Sequence, residues 1–288
     1  SSALSSTRVS TMSFFDGKVV IVTGSSNGIG RATARQFAVL GAKVTITGRN
    51  PDSLKKTKDE CVAAGAKEEN ILEIISDLES DETPNKLVDG TIAKFGQIDV
   101  LVNNAGMALA DAEGRTNITV PIEQFDRMSS VNLRSIILLV QKATPHLEKT
   151  KGAIVNVSSI AGFPYGMQEI YYAITKAGLD QLTVQLAFNL MKKGIRVNSV
   201  NPGIVATDII RKMGLTEEQA QQSFFEMGKN PMMVPLGRCG VPDDIGKLIV
   251  FLADRSQSEF IVGQRIVIDG GSLLNNCMLS IDIPKPGQ

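Results

Sequence analysis

The sequence predicts a single doubly wound α/β domain: a parallel sheet of seven strands with helices on both faces. Three observations carry this. From Lys18 onward, short β-branched runs alternate with longer stretches of helical periodicity, as in successive strand–helix–strand units. The runs are almost continuously apolar, as strands buried on both faces require. No linker or internal repeat interrupts the alternation, so one domain over residues 12–275 accommodates it.

The elements follow in order. The first strand is Val-Val-Ile-Val at 19–22, and the turn Thr23-Gly24-Ser25-Ser26-Asn27-Gly28-Ile29-Gly30 leads into a helix over 29–40. Strands at 44–47, 71–75 and 100–102 are separated by helices at 51–64 and 81–95. A long helix within 123–149 precedes the strand at 153–157; a helix at 171–191 precedes the strand at 196–200. A helix at 243–252 precedes the last strand, 265–268. Residues 204–235 break the rhythm with two expected short helices, rich in Met, Gln and Phe, and no strand between them. A long excursion after a strand's C-terminal end is where open α/β sheets bind ligands, so this segment is read as a lid; a docking surface for another subunit is the other reading.

Bulk properties exclude several functions. Thirty basic and thirty acidic residues cancel, so there is no positive excess to meet nucleic acid or an anionic membrane. No apolar run is long enough to span a bilayer; 136–140 is a core segment of a helix. The three cysteines, Cys61, Cys239 and Cys277, are far apart and form no CxxC pair, which argues against a bound metal or a disulfide framework and fits a reducing compartment. Residues 1–11 are expected to be a disordered leader and 276–288 a tail without a sorting signal, and the chain is expected to be cytoplasmic.

Two groups of residues carry chemistry. Gly24, Gly28 and Gly30 follow a strand and open a helix, where a glycine backbone can approach a pyrophosphate and the helix N-terminus offers unpaired N–H groups. Their spacing departs from G-x-G-x-x-G. It also satisfies the G-x-S-x-G nucleophile elbow at Ser26, the mark of a serine hydrolase. The histidine such a triad needs could only be His146, which follows Pro145 near the end of a helix. Eighteen residues beyond Gly30 stand Gly48, Arg49 and Asn50, with no acid before Asp52. An acid would grip a ribose 2′-hydroxyl, whereas a guanidinium can take a 2′-phosphate, so the expected cofactor is NADP(H), with NAD as the alternative.

The second group is Tyr172 and Lys176, four apart and therefore on one helix face, with Ser158 and Ser159 upstream. A phenol beside a fixed cation is a poised acid/base. Tyr171 has Thr175 at the matching position and Tyr165 has Glu169, so only Tyr172 has the lysine. Lowering a tyrosine from about 10 to about 7 takes roughly 4 kcal/mol, which one cation about 4 Å away supplies at an effective dielectric near 20.

With these pieces in order, the chain resembles the short-chain dehydrogenase/reductase family, over about 15–271. The matching residues are 23–30, Asp77, Asn103 to Gly106, Asn132, Ser159, Tyr172 with Lys176, and Pro202-Gly203 followed by Thr207. The resemblance implies a Rossmann-type sheet of order 3-2-1-4-5-6-7 and a homotetramer or dimer built through the two long central helices. It implies Tyr172 as general acid in carbonyl reduction, Lys176 on the nicotinamide ribose and lowering the tyrosine's pKa, Ser159 on the substrate oxygen, and Asn132 holding a water. It places the cofactor against Gly24, Ser26, Asn27, Gly28, Ile29, Gly30, Arg49, Asn50, Asp77, Leu78, Asn104, Ala105, Gly106, Pro202, Gly203, Val205 and Thr207, with no metal. Asn103, Asn132 and Asp77 also admit plain structural roles as a strand tie, a packing residue and a turn or cap.

The expected reaction interconverts a ketone or aldehyde and a secondary alcohol. Phe163, Tyr165, Met167 and Ile170 in the loop after Ser159, and Ile209, Met213, Phe224, Phe225 and Met232 in the lid, suggest a medium-sized, mostly apolar substrate. The order Thr47-Gly48-Arg49-Asn50 and the Ser25-Ser26-Asn27 glycine turn look like the tropinone-reductase-like and glucose-dehydrogenase-like branches of the family. A sensing module that binds the dinucleotide without turnover is a remote alternative, since it would have little use for Ser159, Tyr172, Lys176 and Asn132 together.

Overall fold

In the computed structural model, residues 13–110, 114–164, 169–207 and 216–276 are described. The expected leader at 1–11, nearly all of the expected tail, Tyr165, Met167, Ile209 and Met213 lie outside them. Seven parallel strands stand in the order β3-β2-β1-β4-β5-β6-β7. They are β1 (Val19–Val22), β2 (Lys43–Gly48), β3 (Ile71–Ile75), β4 (Val100–Asn103), β5 (Ala153–Val157), β6 (Arg196–Pro202) and β7 (Arg265–Ile268).

Two-sided burial follows from the period of the strand. Val20 and Val22 of β1 enter one apolar cluster with Val44, Ile46, Val100 and Val102, while Ile21, between them, enters the other with Leu101, Ile154 and Val197. The first cluster is covered by α1 (Gly28–Val39), α2 (Pro51–Ala63) and α8 (Pro242–Ala253), through Phe37, Leu54 and Ile249. The second is covered by α3 (Thr83–Phe95), α5 (Ser135–Thr150) and α6 (Ile170–Leu190), through Leu87, Leu139 and Leu179.

Three differences from the sequence-based expectation have physical reasons. The helix expected from 81 starts at Thr83, because Pro84 lacks an N–H and fits only a first turn. The long helix within 123–149 is α4 (Ile122–Ser129) and α5 joined by one π turn, Ser130–Arg134, and Asn132 sits in that turn. In the lid, the described part holds one helix of thirteen residues, α7 (Glu217–Lys229), rather than two short ones; the other expected helix falls partly on undescribed residues. Thr216 and Gln219 form a reciprocal capping box at its start, which Thr-x-x-Gln allows and periodicity alone does not reveal. A short helix, α9 (Arg255–Ser258), completes the helices among the described residues.

Candidate active site

At the C-terminal end of β1 the chain must turn at once into α1, and glycines make this possible. Gly24 has φ +62, and a Cβ there would lie 2.7 Å from the Cα of Ala105. A Cβ on Gly30 would run into the Gly24 carbonyl oxygen and the Asn104 amide nitrogen. Asn104 ties the two crossover loops together, donating from Nδ2 to the carbonyls of Thr23 at 2.8 Å and Gly24 at 3.0 Å. Asn27 precedes α1 without capping it, and the first turn holds no acid. The leading N–H groups of α1 therefore keep their positive potential for an anion.

This turn forms one wall of a cleft of about 760 Å³. Gly24, Ser26, Asn27, Gly28 and Ile29 line it, with Arg49, Asp77, Leu78, Asn104, Ala105, Gly106 and Thr207. Gly30 lies behind the turn, Pro202 closes β6, and Gly203 follows it against Asp269. Val205 is buried and bridges to Gly240. Asn50 is used otherwise: its Oδ1 accepts from Ser53 N at 2.8 Å and caps α2. At the outer end Arg49 is more than half exposed and stands 4.0 Å from Asp77, a loose pair. Asp77 Oδ1 also accepts from Glu79 N, the turn role left open for it. The Ser26 hydroxyl packs on Gly48, and His146, on α5, does not line the cleft, so the hydrolase constellation is not assembled.

Beyond Gly106 lies the chemical end. A Cβ on Gly106 would be 3.4 Å from both Lys176 Nζ and Asn132 Oδ1, so these two groups flank one point of the backbone. Lys176 Nζ donates to Val157 O at 2.9 Å and lies 5.5 Å from the centre of the Tyr172 ring. The Ser159 hydroxyl acts on the Tyr172 phenol and favours its ionised form, and its Oγ accepts from Ala161 N at 3.1 Å. Ser158 points the other way, into the fold, where its Oγ donates to Lys176 O at 3.2 Å. Alternation at the end of β5 thus separates the two serines.

The side chain of Asn132 takes the packing role left open for it. It is fully buried, Oδ1 accepts from Met107 N at 2.9 Å, and Nδ2 donates to Met107 O at 2.9 Å and Thr175 Oγ1 at 3.0 Å. With both amide protons used, it acts on the described atoms as a clamp on Met107. Asn103 is a strand tie, donating to Asn156 Oδ1 at 2.8 Å across β4 and β5.

The electrostatics also correct one expectation. Burial pushes the Tyr172 phenol up to about 12, opposed by the Ser159 hydrogen bond and helped by the charge of Glu169. Burial lowers the Lys176 ammonium to about 8, against the pull of Asp180. Desolvation therefore outweighs the pull of any nearby cation, and the phenol is held protonated.

One part of the site escaped sequence reasoning. Met107, Leu109 and Val131 line the cleft, and Met107, Leu109, Phe125 and Tyr172 pack on a small apolar cluster of Val120, Met128 and Tyr171. The signal was present: the described residues of 104–121 form an excursion without a strand after the end of β4, the same feature that marked 204–235.

Residues 24–272 match the family model described as "Enoyl-(Acyl carrier protein) reductase". A short-chain dehydrogenase/reductase of unknown function from Caenorhabditis elegans, solved with cofactor, is 44% identical with TM-score 0.89, covering 91% of this chain and 97% of its own. The glucose dehydrogenase of the same organism, in its apo form, is 44% identical with TM-score 0.76, covering 90% and 99%. The L-rhamnose 1-dehydrogenase (NAD(P)(+)) of Azotobacter vinelandii is 36% identical, over 90% of this chain and 97% of that one.

Proposed function

The chain belongs to the short-chain dehydrogenase/reductase family of oxidoreductases, and on that premise we propose that it interconverts a carbonyl compound and a secondary alcohol with NADP(H). The observation that supports this most is the grouping of Ser159, Tyr172 and Lys176 beyond Gly106, itself a lining residue of a cleft whose other wall is the uncapped start of α1.

The residues present fit a dinucleotide. The places where a Cβ would fill the cradle are glycines, and the N-terminus of α1 offers unmatched donors to a pyrophosphate. Arg49 would take a 2′-phosphate, exchanging its loose contact with Asp77 for charge-assisted bonds. Lys176 would hold the nicotinamide ribose. When bound, the dinucleotide supplies or accepts the hydride.

The chain's own residues manage the oxygen. Ser159 Oγ and Tyr172 Oη form a two-point site for the substrate oxygen. The phenol, protonated at neutral pH, gives its proton to that oxygen in reduction and recovers it in oxidation. The Lys176 ammonium beside the ring stabilises the phenolate left behind. Met107, Leu109 and Val131 give the cleft an apolar wall, which favours a medium-sized apolar ketone. A sugar is the second reading, because relatives are named for L-rhamnose and glucose.

Thermal unfolding with saturating NADPH or NADH tests the cofactor reading. Ligand at a hundred times its dissociation constant adds about 2.7 kcal/mol of stability. A clear rise with NADPH and a small one with NADH is expected, and Arg49→Ala should weaken NADPH about ten- to a hundredfold while sparing NADH. A larger rise with NADH, or equal losses in the variant, would overturn the choice.

A further inference from the structure

One turn after Lys176 on α6, a carboxylate is buried: Asp180 is 1% exposed. Both its oxygens lie 2.9 Å from Asn201 Nδ2, which also donates to Ser159 O at 3.0 Å, and the Ser158 hydroxyl acts on it as well. The loop carrying Ser159 closes over it so tightly that a Cβ on Gly162 would lie 2.6 Å from Asp180 Oδ2 and 3.0 Å from the Lys176 carbonyl. An ionised carboxylate in such a place is costly unless something compensates it, and its direct partners are neutral.

We propose that Asp180 is a positioning residue for the proton chemistry at Tyr172, its buried negative charge keeping the Lys176 ammonium protonated. This rests on reading Tyr172 and Lys176 as the reaction centre.

The surroundings single out Asp180. Positions four apart on a helix are neighbours, and low dielectric strengthens their attraction. Lys176 feels burial and, against it, Asp180. On α6 itself Tyr171 bonds to Val120 O, and Glu169 at its start acts on Tyr172. β6 brings the neutral Ser199 and Asn201 alongside, its Arg196 being engaged with Ser258 and Ala253, and the turn 160–162 carries no charge. In the π turn Arg134 pairs with Asp81; in α4 Arg127 pairs with Glu79, and Glu123 and Asp126 are partly or fully exposed. Arg265 of β7, against the Phe163 ring, adds its charge at Asp180 rather than at Lys176.

Asp180→Asn removes the charge while an amide can still accept from Asn201 and donate to Ser158. The experiment measures urea stability against pH for the full-length, cofactor-free chain and for Lys176→Met; their difference gives the pH at which folded Lys176 loses its proton. Repeated in the Asp180→Asn background, that midpoint should fall from about 8 by about one pH unit or more, and the upper pH limit of NADPH binding should fall with it. An unmoved midpoint overturns the proposal. NADPH binding at no pH would count against the cofactor reading, while the midpoint would still decide the role of Asp180. If Asp180→Asn does not fold, ¹³C NMR of the wild-type carboxyl decides: an Asp180 ionised at pH 7 sustains the proposal and a protonated one overturns it.

Discussion

Lys176→Met should stabilise the cofactor-free protein near neutral pH while destroying its cofactor site. Lys176 is 3% exposed and its folded-state value is about 8, against an ordinary 10.5. That difference corresponds to about 3 kcal/mol of penalty for keeping the ammonium inside. The sign follows from linkage. Below about pH 8 the lysine is charged in both states and the penalty is fully present. Between about 8 and 10.5 the folded state releases its proton first, so the unfolded state binds more protons and stability rises with pH, by about 2.5 kcal/mol at pH 10. Methionine fills similar space but loses the bond to Val157 O, worth about 1 kcal/mol, leaving a net gain of about 2 kcal/mol at pH 7. Urea unfolding of both proteins from pH 6.5 to 10 is the assay. Cys61 and Tyr172 are raised by burial and oppose the trend at high pH, but both proteins share them, so the difference isolates Lys176. The stability gap should close as pH rises; curves that stay parallel through that window would refute the reasoning.

Gly30→Ala should cost about 1–3 kcal/mol by overpacking the Gly24 carbonyl and Asn104, and should abolish NADPH binding; thermal denaturation with and without NADPH reads both, and unchanged affinity would show that the turn is not the phosphate cradle. Ser159→Ala should lower kcat about a hundred- to a thousandfold with little change in NADPH affinity, because it removes one of two donors at the substrate oxygen; steady-state kinetics decide, and a loss confined to KM would make it a binding residue only.

Much of the site could be read from short-range pattern, because its parts are local in sequence or fixed by element geometry. The Tyr172–Lys176 pair needs only one helix turn; alternation at a strand end separates Ser158 from Ser159, and the family resemblance selects Ser159. The sheet was equally legible: continuous apolar runs meant two-sided burial, and Val20, Ile21 and Val22 divide between two cores accordingly. What was hidden depends on long-range contact. Asn132 looks free in sequence, yet Met107 and Thr175, 25 and 43 residues away, use its whole amide. The upward shift at Tyr172 depends on packing in the same way, because burial acts on the phenol against the charge of a nearby cation. Asn50 also caps α2, a local demand set by the helix that begins at Pro51.

The most direct test of the central claim compares wild type with Tyr172→Phe for NADPH consumption against a panel of apolar ketones, with NADPH affinity measured in parallel. Wild type should reduce at least one ketone, and the variant should bind NADPH about equally well while its turnover falls by a hundredfold or more. Turnover near wild type in the variant would contradict the assignment of the proton to Tyr172.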